Sequence, residues 1–267
     1  MLIIVKKIKQ AQLPMNALLK QLCCLLLSLY LLQSCSHPTK IVKIEKSTLE
    51  LNSKSETDSV FTYTISPYKN KMDAIMNEVL IVSDQELLKG LPESSLGNFV
   101  SDAILKKTND KYKPADGKPA DICLLNNGGL RAQLPKGAIT RGKVFELMPF
   151  ENSVVVLTLS GEKTKELFDA MVANNGAPFS GATIIAKGKK IKELKIAGAD
   201  FDINKTYKIV TSDYLSAGGD KYDFFKNPLK TDTVNYLLRD AIIDYLIDEN
   251  KKGNTLKFAI DGRIKFE

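Results

Sequence analysis

Three short blocks of this chain carry side chains that could do chemistry. They are Asn126-Asn127-Gly128-Gly129-Leu130-Arg131, Met148-Pro149-Phe150-Glu151-Asn152 and Tyr214-Leu215-Ser216-Ala217-Gly218-Gly219-Asp220. Each sets glycine or proline beside a polar or aromatic side chain. Glycine lets backbone approach a ligand closely, and a guanidinium, an aromatic ring and a carboxylate together suit a phosphate, a base and a sugar. Bidentate donation to phosphate oxygens is what a planar guanidinium such as that of Arg131 does best. Taken singly, each residue also has an ordinary structural reading. Arg131 could be a surface cation, Phe150 a core residue after proline, and Asp220 an Asx-turn residue after Gly-Gly. The ordered trio is what points to a small-molecule site.

What the chain lacks narrows the chemistry further. His37 is its one histidine, so a Ser-His-Asp triad is excluded. A two-metal phosphatase needs several converging histidine and carboxylate ligands, and the three blocks do not cluster carboxylates for one. No metal site is expected in this chain. Of the four cysteines, Cys23, Cys24 and Cys35 lie near the N-terminus and only Cys123 lies further on. Cys123 sits in an apolar, strand-like run and reads as a small core residue.

The elements that must position these blocks can be read from periodicity and capping. Met72, Ile75, Met76 and Val79 follow Ile65-Ser66-Pro67-Tyr68 at helical spacing. Ser95 can cap a helix carrying Leu96, Phe99, Val100, Ala103 and Ile104. Asp121 to Leu125 reads as a buried strand ending at the first glycine loop. Thr140 caps a short helix, Arg141 to Leu147, ahead of the Pro149-Phe150 loop. Val154 to Leu159 is the strongest strand, and it feeds a helix that opens at Ser160-Gly161-Glu162. Ile184 to Ala186 and Ile191 to Ile196 form a hairpin across Lys187-Gly188-Lys189. Tyr207 to Thr211 is a strand that ends at the second glycine loop. An amphipathic helix is expected over Val234 to Ile247 and a last strand over Leu256 to Ile260. Helices and strands alternate irregularly, which predicts a single α+β domain with a mixed sheet over residues 61–267.

The N-terminus reads as an address. Lys6, Lys7, Lys9 and Lys20 flank an apolar run from Leu22 to Leu32. Eleven helical residues reach about 16 Å, short of a bilayer core of about 30 Å. Residues 1–34 are therefore expected to be a signal peptide, with Met1 or Met15 as the start. The run ends in Leu32-Gln33-Ser34-Cys35, which looks like a bacterial lipobox with Cys35 as the lipidated residue. The expectation is a protein lipid-anchored in a bacterial cell envelope, with a polar tether over residues 35–60 and a short strand around Lys40 to Ile44. The formal charge is +7. Loss of the four leader lysines leaves 34 basic against 31 acidic residues, +3. No basic patch interleaved with aromatics appears, so nucleic acid is not an expected partner.

The three blocks, in this order, resemble the C-terminal, substrate-binding domain of the 5′-nucleotidase family. The likeness runs from about Leu96 to Tyr222 and more loosely to the C-terminus. By that resemblance Asn126 opens an Asn-Gly-Gly-Gly-Ile-Arg pattern, and Arg131 contacts substrate phosphate or ribose. Phe150 stacks on the base, Tyr214 takes the opposite wall where phenylalanine is usual, Asn152 bonds the base edge, and Asp220 accepts from the ribose hydroxyls. Asn127, Glu151 and Lys221 depart from family glycines. Upstream of the Leu96-Gly97-Asn98 helix start, where the family often carries arginines, Glu86 to Pro92 offers only Lys89.

In that family a separate metallophosphatase domain holds the metals. The stretch before the Leu96 helix leaves no room for it, and the lone histidine is badly placed. The resemblance therefore implies the nucleotide- or nucleoside-binding half of a split 5′-nucleotidase. No cofactor is expected on this chain; divalent metals would come from a separate metallophosphatase polypeptide. The alternative is a stand-alone nucleoside- or nucleotide-binding lipoprotein without catalysis.

Overall fold

A computed structural model describes residues 58–267 and, before them, only positions 19, 22, 25, 26, 43 and 45–48. Two units are separated at Thr57/Asp58, and the second is described here. The signal peptide apart from positions 19, 22, 25 and 26, together with Cys35 and, apart from Lys43, the strand expected around Lys40 to Ile44, lies outside the described residues.

The elements run α1 (Ser59–Met76), β1 (Val79–Ser83), α2 (Ser95–Lys111), β2 (Ile122–Leu124), β3 (Gly137–Thr140), α3 (Arg141–Leu147), β4 (Ser153–Ser160), α4 (Gly161–Ala173), β5 (Phe179–Ser180), β6 (Ala182–Lys187), β7 (Lys190–Ile196), β8 (Ala199–Asp200), β9 (Thr206–Ser212), α5 (Asp213–Ser216), β10 (Lys230–Leu237), α6 (Leu238–Lys251) and β11 (Ile264–Phe266). Helices and mixed sheets alternate irregularly, so the α+β expectation holds. The strands form a central five-stranded sheet ordered β10-β4-β9-β2-β5, a four-stranded sheet ordered β11-β6-β7-β8, and a ribbon of β1 with β3. In the central sheet β2 runs parallel to β9, while β4 is antiparallel to both β9 and β10.

The central sheet is covered on both faces, and the alternation along β4 shows how. Val154 and Val156 join one core with Phe99, Val100 and Ile104 of α2 and Ala241, Ile242 and Leu246 of α6. Val155, Leu157 and Leu159 point the other way, to Leu167, Phe168 and Met171 of α4 and to Ile184 and Leu194 of the second sheet. A period of two therefore serves two cores, which is why β4 has four consecutive apolar residues, Val154 to Leu157, directly after Ser153. Cys123 is fully buried in the first core. Burial pushes its thiol pKa up, so it is an inert packing residue.

Several boundaries differ from the sequence expectation. Helix α1 begins at Ser59, capped by Asp58 Oδ1, which accepts from Phe61 N at 2.9 Å. It continues through Pro67; the Tyr63 carbonyl that proline cannot serve accepts instead from Ser66 Oγ at 2.9 Å. Val79 belongs to β1, not to that helix. The cap of α2 is Ser94, whose hydroxyl accepts from Gly97 N, while Ser95 Oγ accepts from Leu88 N. Val234 to Leu237 lie in β10, because Lys230 to Thr233 ladder against β4 and carry the chain along the sheet edge before α6 starts. Leu256 makes one parallel bridge to Ser83 rather than starting a strand. The last strand is β11, on the edge of the second sheet. The caps at Thr140 and Ser160 and the β6–β7 hairpin stand as read from the sequence.

Candidate functional site

Topology explains why three blocks far apart in sequence meet. Because β2 and β9 are parallel, the loops that leave them emerge at one end of the sheet. Because β4 is antiparallel to β9, the loop that enters β4 sits at the same end. Thr211 Oγ1 donates to the Leu124 carbonyl at 2.9 Å and ties the ends of β9 and β2 together.

These loops enclose a cavity of about 360 Å³ lined by Asn126, Gly128, Gly129, Arg131, Phe150, Asn152, Tyr214 and Asp220. All six residues singled out from the sequence as ligand-binding thus face one space.

The first loop makes a 3-10 turn over Asn127–Gly129, closed by Gly129 N donating to Asn126 O at 3.1 Å. A Cβ on Gly129 would lie 2.8 Å from Asn126 Oδ1, so glycine is needed for the asparagine side chain to fold back. Asn127 takes no left-handed conformation, so asparagine in place of the family glycine adds no strain. Leu130 is buried and Arg131 N donates to Leu147 O at 2.8 Å, anchoring the loop to the end of α3. Among the described residues the Arg131 guanidinium has no ion-pair partner; it donates to Gly128 O at 3.3 Å and stands 5.8 Å from the Phe150 ring centroid. Lys89 brings a second cation nearby, donating to Leu130 O at 2.8 Å.

The second loop presents Phe150, whose ring is 44% exposed. That exposure decides between the two readings of a phenylalanine after proline: it is a cavity wall and not a core residue. Asn152 donates from Nδ2 to Asp213 Oδ1 at 2.9 Å, which orients its amide beside the cavity. Behind the loop lies Arg239 of α6, buried at 6% exposure. Its Nη1 reaches the carbonyls of Met148 at 3.5 Å and Phe150 at 3.4 Å, and its guanidinium stacks 4.0 Å from the Phe145 ring centroid. Glu151 is 3.9 Å from Nη2 with its side chain in solvent.

In the third loop Tyr214, 48% exposed, is the second residue of α5. Its hydroxyl donates to Asp220 Oδ1 at 2.8 Å, while Asn126 Nδ2 donates to Asp220 Oδ2 at 2.6 Å. The carboxylate is thus bracketed from two loops. Its acceptance from the phenol holds the Tyr214 pKa above the ordinary value. The tyrosine ring lies flat on Gly219, where a Cβ would be 2.5 Å from two ring atoms. Asp220 and Lys221 adopt φ of 51° and 63°, left-handed values that cost a non-glycine residue about 1–2 kcal/mol each. The departure from glycine at Lys221 is therefore carried as strain in this loop.

Two contributors escape sequence reading. Asp213 supplies the acceptor for both Asn152 Nδ2 and Tyr214 N, and its position just after the cap Ser212 is the one signal that could have found it. Arg239 had none, because an arginine on an amphipathic helix reads as surface. Among the described residues, no three His, Cys, Asp or Glu side chains gather as a metal ion would require. The residues of this site do not fit the metal pair of a phosphatase.

Comparison with known proteins agrees with this architecture. The family model for the 5′-nucleotidase, C-terminal domain matches residues 78–227. The trifunctional nucleotide phosphoesterase YfkN of Bacillus subtilis is 29% identical over 249 residues, 84% of this chain and 16% of that protein. Protein UshA of Escherichia coli is 28% identical over 61% of this chain and 30% of its own length. Among solved structures, the 5′-nucleotidase precursor of Thermus thermophilus superposes with a TM-score of 0.65 at 26% identity, covering 78% of this chain and 43% of that one. The chain therefore spans less than half the length of these relatives. With the matched segment carrying all three loops of the cavity, the chain belongs to the 5′-nucleotidase C-terminal domain family.

Proposed function

We propose that this chain is the nucleotide-presenting half of a 5′-nucleotidase, hydrolysing phosphomonoesters in nucleotide breakdown together with a separate metallophosphatase polypeptide. The observation that carries the reading is the cavity itself. Two half-exposed aromatic rings, an arginine without an ion-pair partner among the described residues and a bracketed carboxylate share one space of about 360 Å³. Phe150 and Tyr214 would hold the base between them and Asn152 its edge. Asp220, with Asn126 behind it, would take the ribose, and Arg131 the phosphate. Lys89 would assist as the second cation. The metals would sit on the partner polypeptide, to which this chain would hold out the phosphate. Lipidation at Cys35 would keep the pair at a bacterial cell-envelope membrane.

Calorimetric titration with adenosine and AMP tests the binding half of this reading. Phe150→Ala should weaken adenosine by roughly 1–3 kcal/mol, the value of base–aromatic stacking, and Tyr214→Ala should lose as much relative to Tyr214→Phe, which keeps the ring. A Phe150→Ala variant that binds like the natural chain, together with a Tyr214→Ala variant that binds like Tyr214→Phe, would refute the base site. For the catalytic half, the purified chain should not hydrolyse AMP with any added divalent metal, and a metallophosphatase partner should restore turnover. Metal-dependent turnover by the chain alone, surviving His37→Ala, would overturn the split arrangement. Ligand binding that no partner converts to hydrolysis would favour a stand-alone binder.

A further inference from the structure

The resemblance assigns phenylalanine to the wall where this chain has Tyr214, and the extra hydroxyl is not idle. It donates to Asp220 Oδ1 at 2.8 Å and accepts from Asp220 N at 3.3 Å, closing a small ring onto the carboxylate. Asn126 Nδ2 takes the other oxygen at 2.6 Å. Both oxygens of the group that would receive a ribose diol are therefore already engaged by the protein. A carboxylate offers about four acceptor positions, but a diol bridging both oxygens needs one well-directed position on each. The tyrosine hydroxyl competes for one of them. Tyr214 is 48% exposed, so nothing buried prevents the small shift that releases its hydroxyl from Asp220 while the ring stays at the cavity wall.

We infer that Tyr214 sets the sugar specificity of this site: its hydroxyl occupies on Asp220 the place of a ribose hydroxyl, so that the chain discriminates little between nucleosides with and without the 2′,3′-diol. The inference rests on the reading of the cavity as a nucleoside site. A ligand with the diol gains hydrogen bonds to a charged group but displaces an equivalent one, and the two nearly offset. A ligand without the diol leaves the tyrosine contact in place.

The test compares adenosine with 2′,3′-dideoxyadenosine by calorimetry on the full chain and on Tyr214→Phe, which keeps the stacking ring. The natural chain should bind the two within about threefold of each other. Tyr214→Phe should bind adenosine about tenfold tighter, the scale of one hydrogen bond to a charged group, with dideoxyadenosine unchanged. In an Asp220→Ala background, Tyr214→Phe should no longer move the ratio, a coupling that a merely structural role for the tyrosine would not produce. The same preference for adenosine in both proteins would overturn the inference while leaving the nucleoside site intact. Binding of neither compound at millimolar concentration to any of these proteins would overturn the site reading and the inference with it.

Discussion

Arg239→Met separates stability from binding. The guanidinium is buried at 6% exposure, yet its hydrogen bonds to the Met148 and Phe150 carbonyls are 3.5 and 3.4 Å long and its Nε has no partner. Bonds at that limit contribute at most about 0.5 kcal/mol each. Stacking 4.0 Å over Phe145 contributes up to about 2 kcal/mol when desolvated. Against these stands the burial of an unsatisfied donor, about 1–3 kcal/mol. The two sides nearly cancel, and methionine keeps the apolar stem. Stability should therefore change by about 1 kcal/mol or less, a shift in Tm of roughly 2–4 °C. Binding should respond differently. Without the guanidinium, the Phe150 loop must be ordered by the ligand, at about 0.5–1.5 kcal/mol, or roughly two- to tenfold in Kd for adenosine. Thermal denaturation and calorimetry on the same preparation read both quantities. Natural affinity at natural Tm would show that the loop is held by other contacts. A stability loss beyond about 3 kcal/mol would show that the guanidinium is far better satisfied than its distances imply.

Other expectations follow from individual contacts. Arg131→Ala should weaken AMP more than adenosine if, as proposed, the guanidinium addresses phosphate; equal losses for the two would refute that assignment. Cys35→Ala should move the protein from membranes to the soluble fraction, and unchanged retention with no lipid on the mature N-terminus would count against the anchor. Lys107 Nζ bonds Asp248 at 2.8 Å and holds its carboxyl below the ordinary carboxylate value. A depressed pKa stabilises the fold above the unfolded value and loses that contribution as pH falls through the folded one. Asp248→Asn should therefore destabilise at neutral pH and progressively less as the pH falls below the ordinary carboxylate value and through the depressed one, as read by urea denaturation; a loss that does not change with pH would refute the pairing.

How far the sequence anticipates the structure depends on whether local or distant forces decide. Thr140 and Ser160 cap the helices read from them because a cap is settled within four residues. β4 was legible because three valines in a row leave few alternatives. Val234 to Leu237 were not, because their pattern suits a helix and only pairing with β4, far away in the chain, makes them a strand. Leu256 likewise reads as the start of a strand, but one bridge to Ser83 is all the surroundings offer.

At the site the same division runs between side-chain identity and side-chain engagement. Arg131, Phe150, Tyr214 and Asp220 announce themselves by type and by nearby glycines or, for Phe150, a preceding proline, and the cavity gathers all four. Whether those groups are free is another matter, since it depends on contacts between residues such as Asn126 and Asp220, 94 positions apart. Among the described residues Arg131 keeps its guanidinium out of ion pairs, whereas Asp220 has both oxygens engaged by its own chain. A ligand meeting this cavity would therefore find its cation available and its carboxylate already bonded. For a nucleotide seated as proposed, affinity for the phosphate end would be gained directly, while affinity for the sugar end would be only the difference between the hydrogen bonds made and those given up.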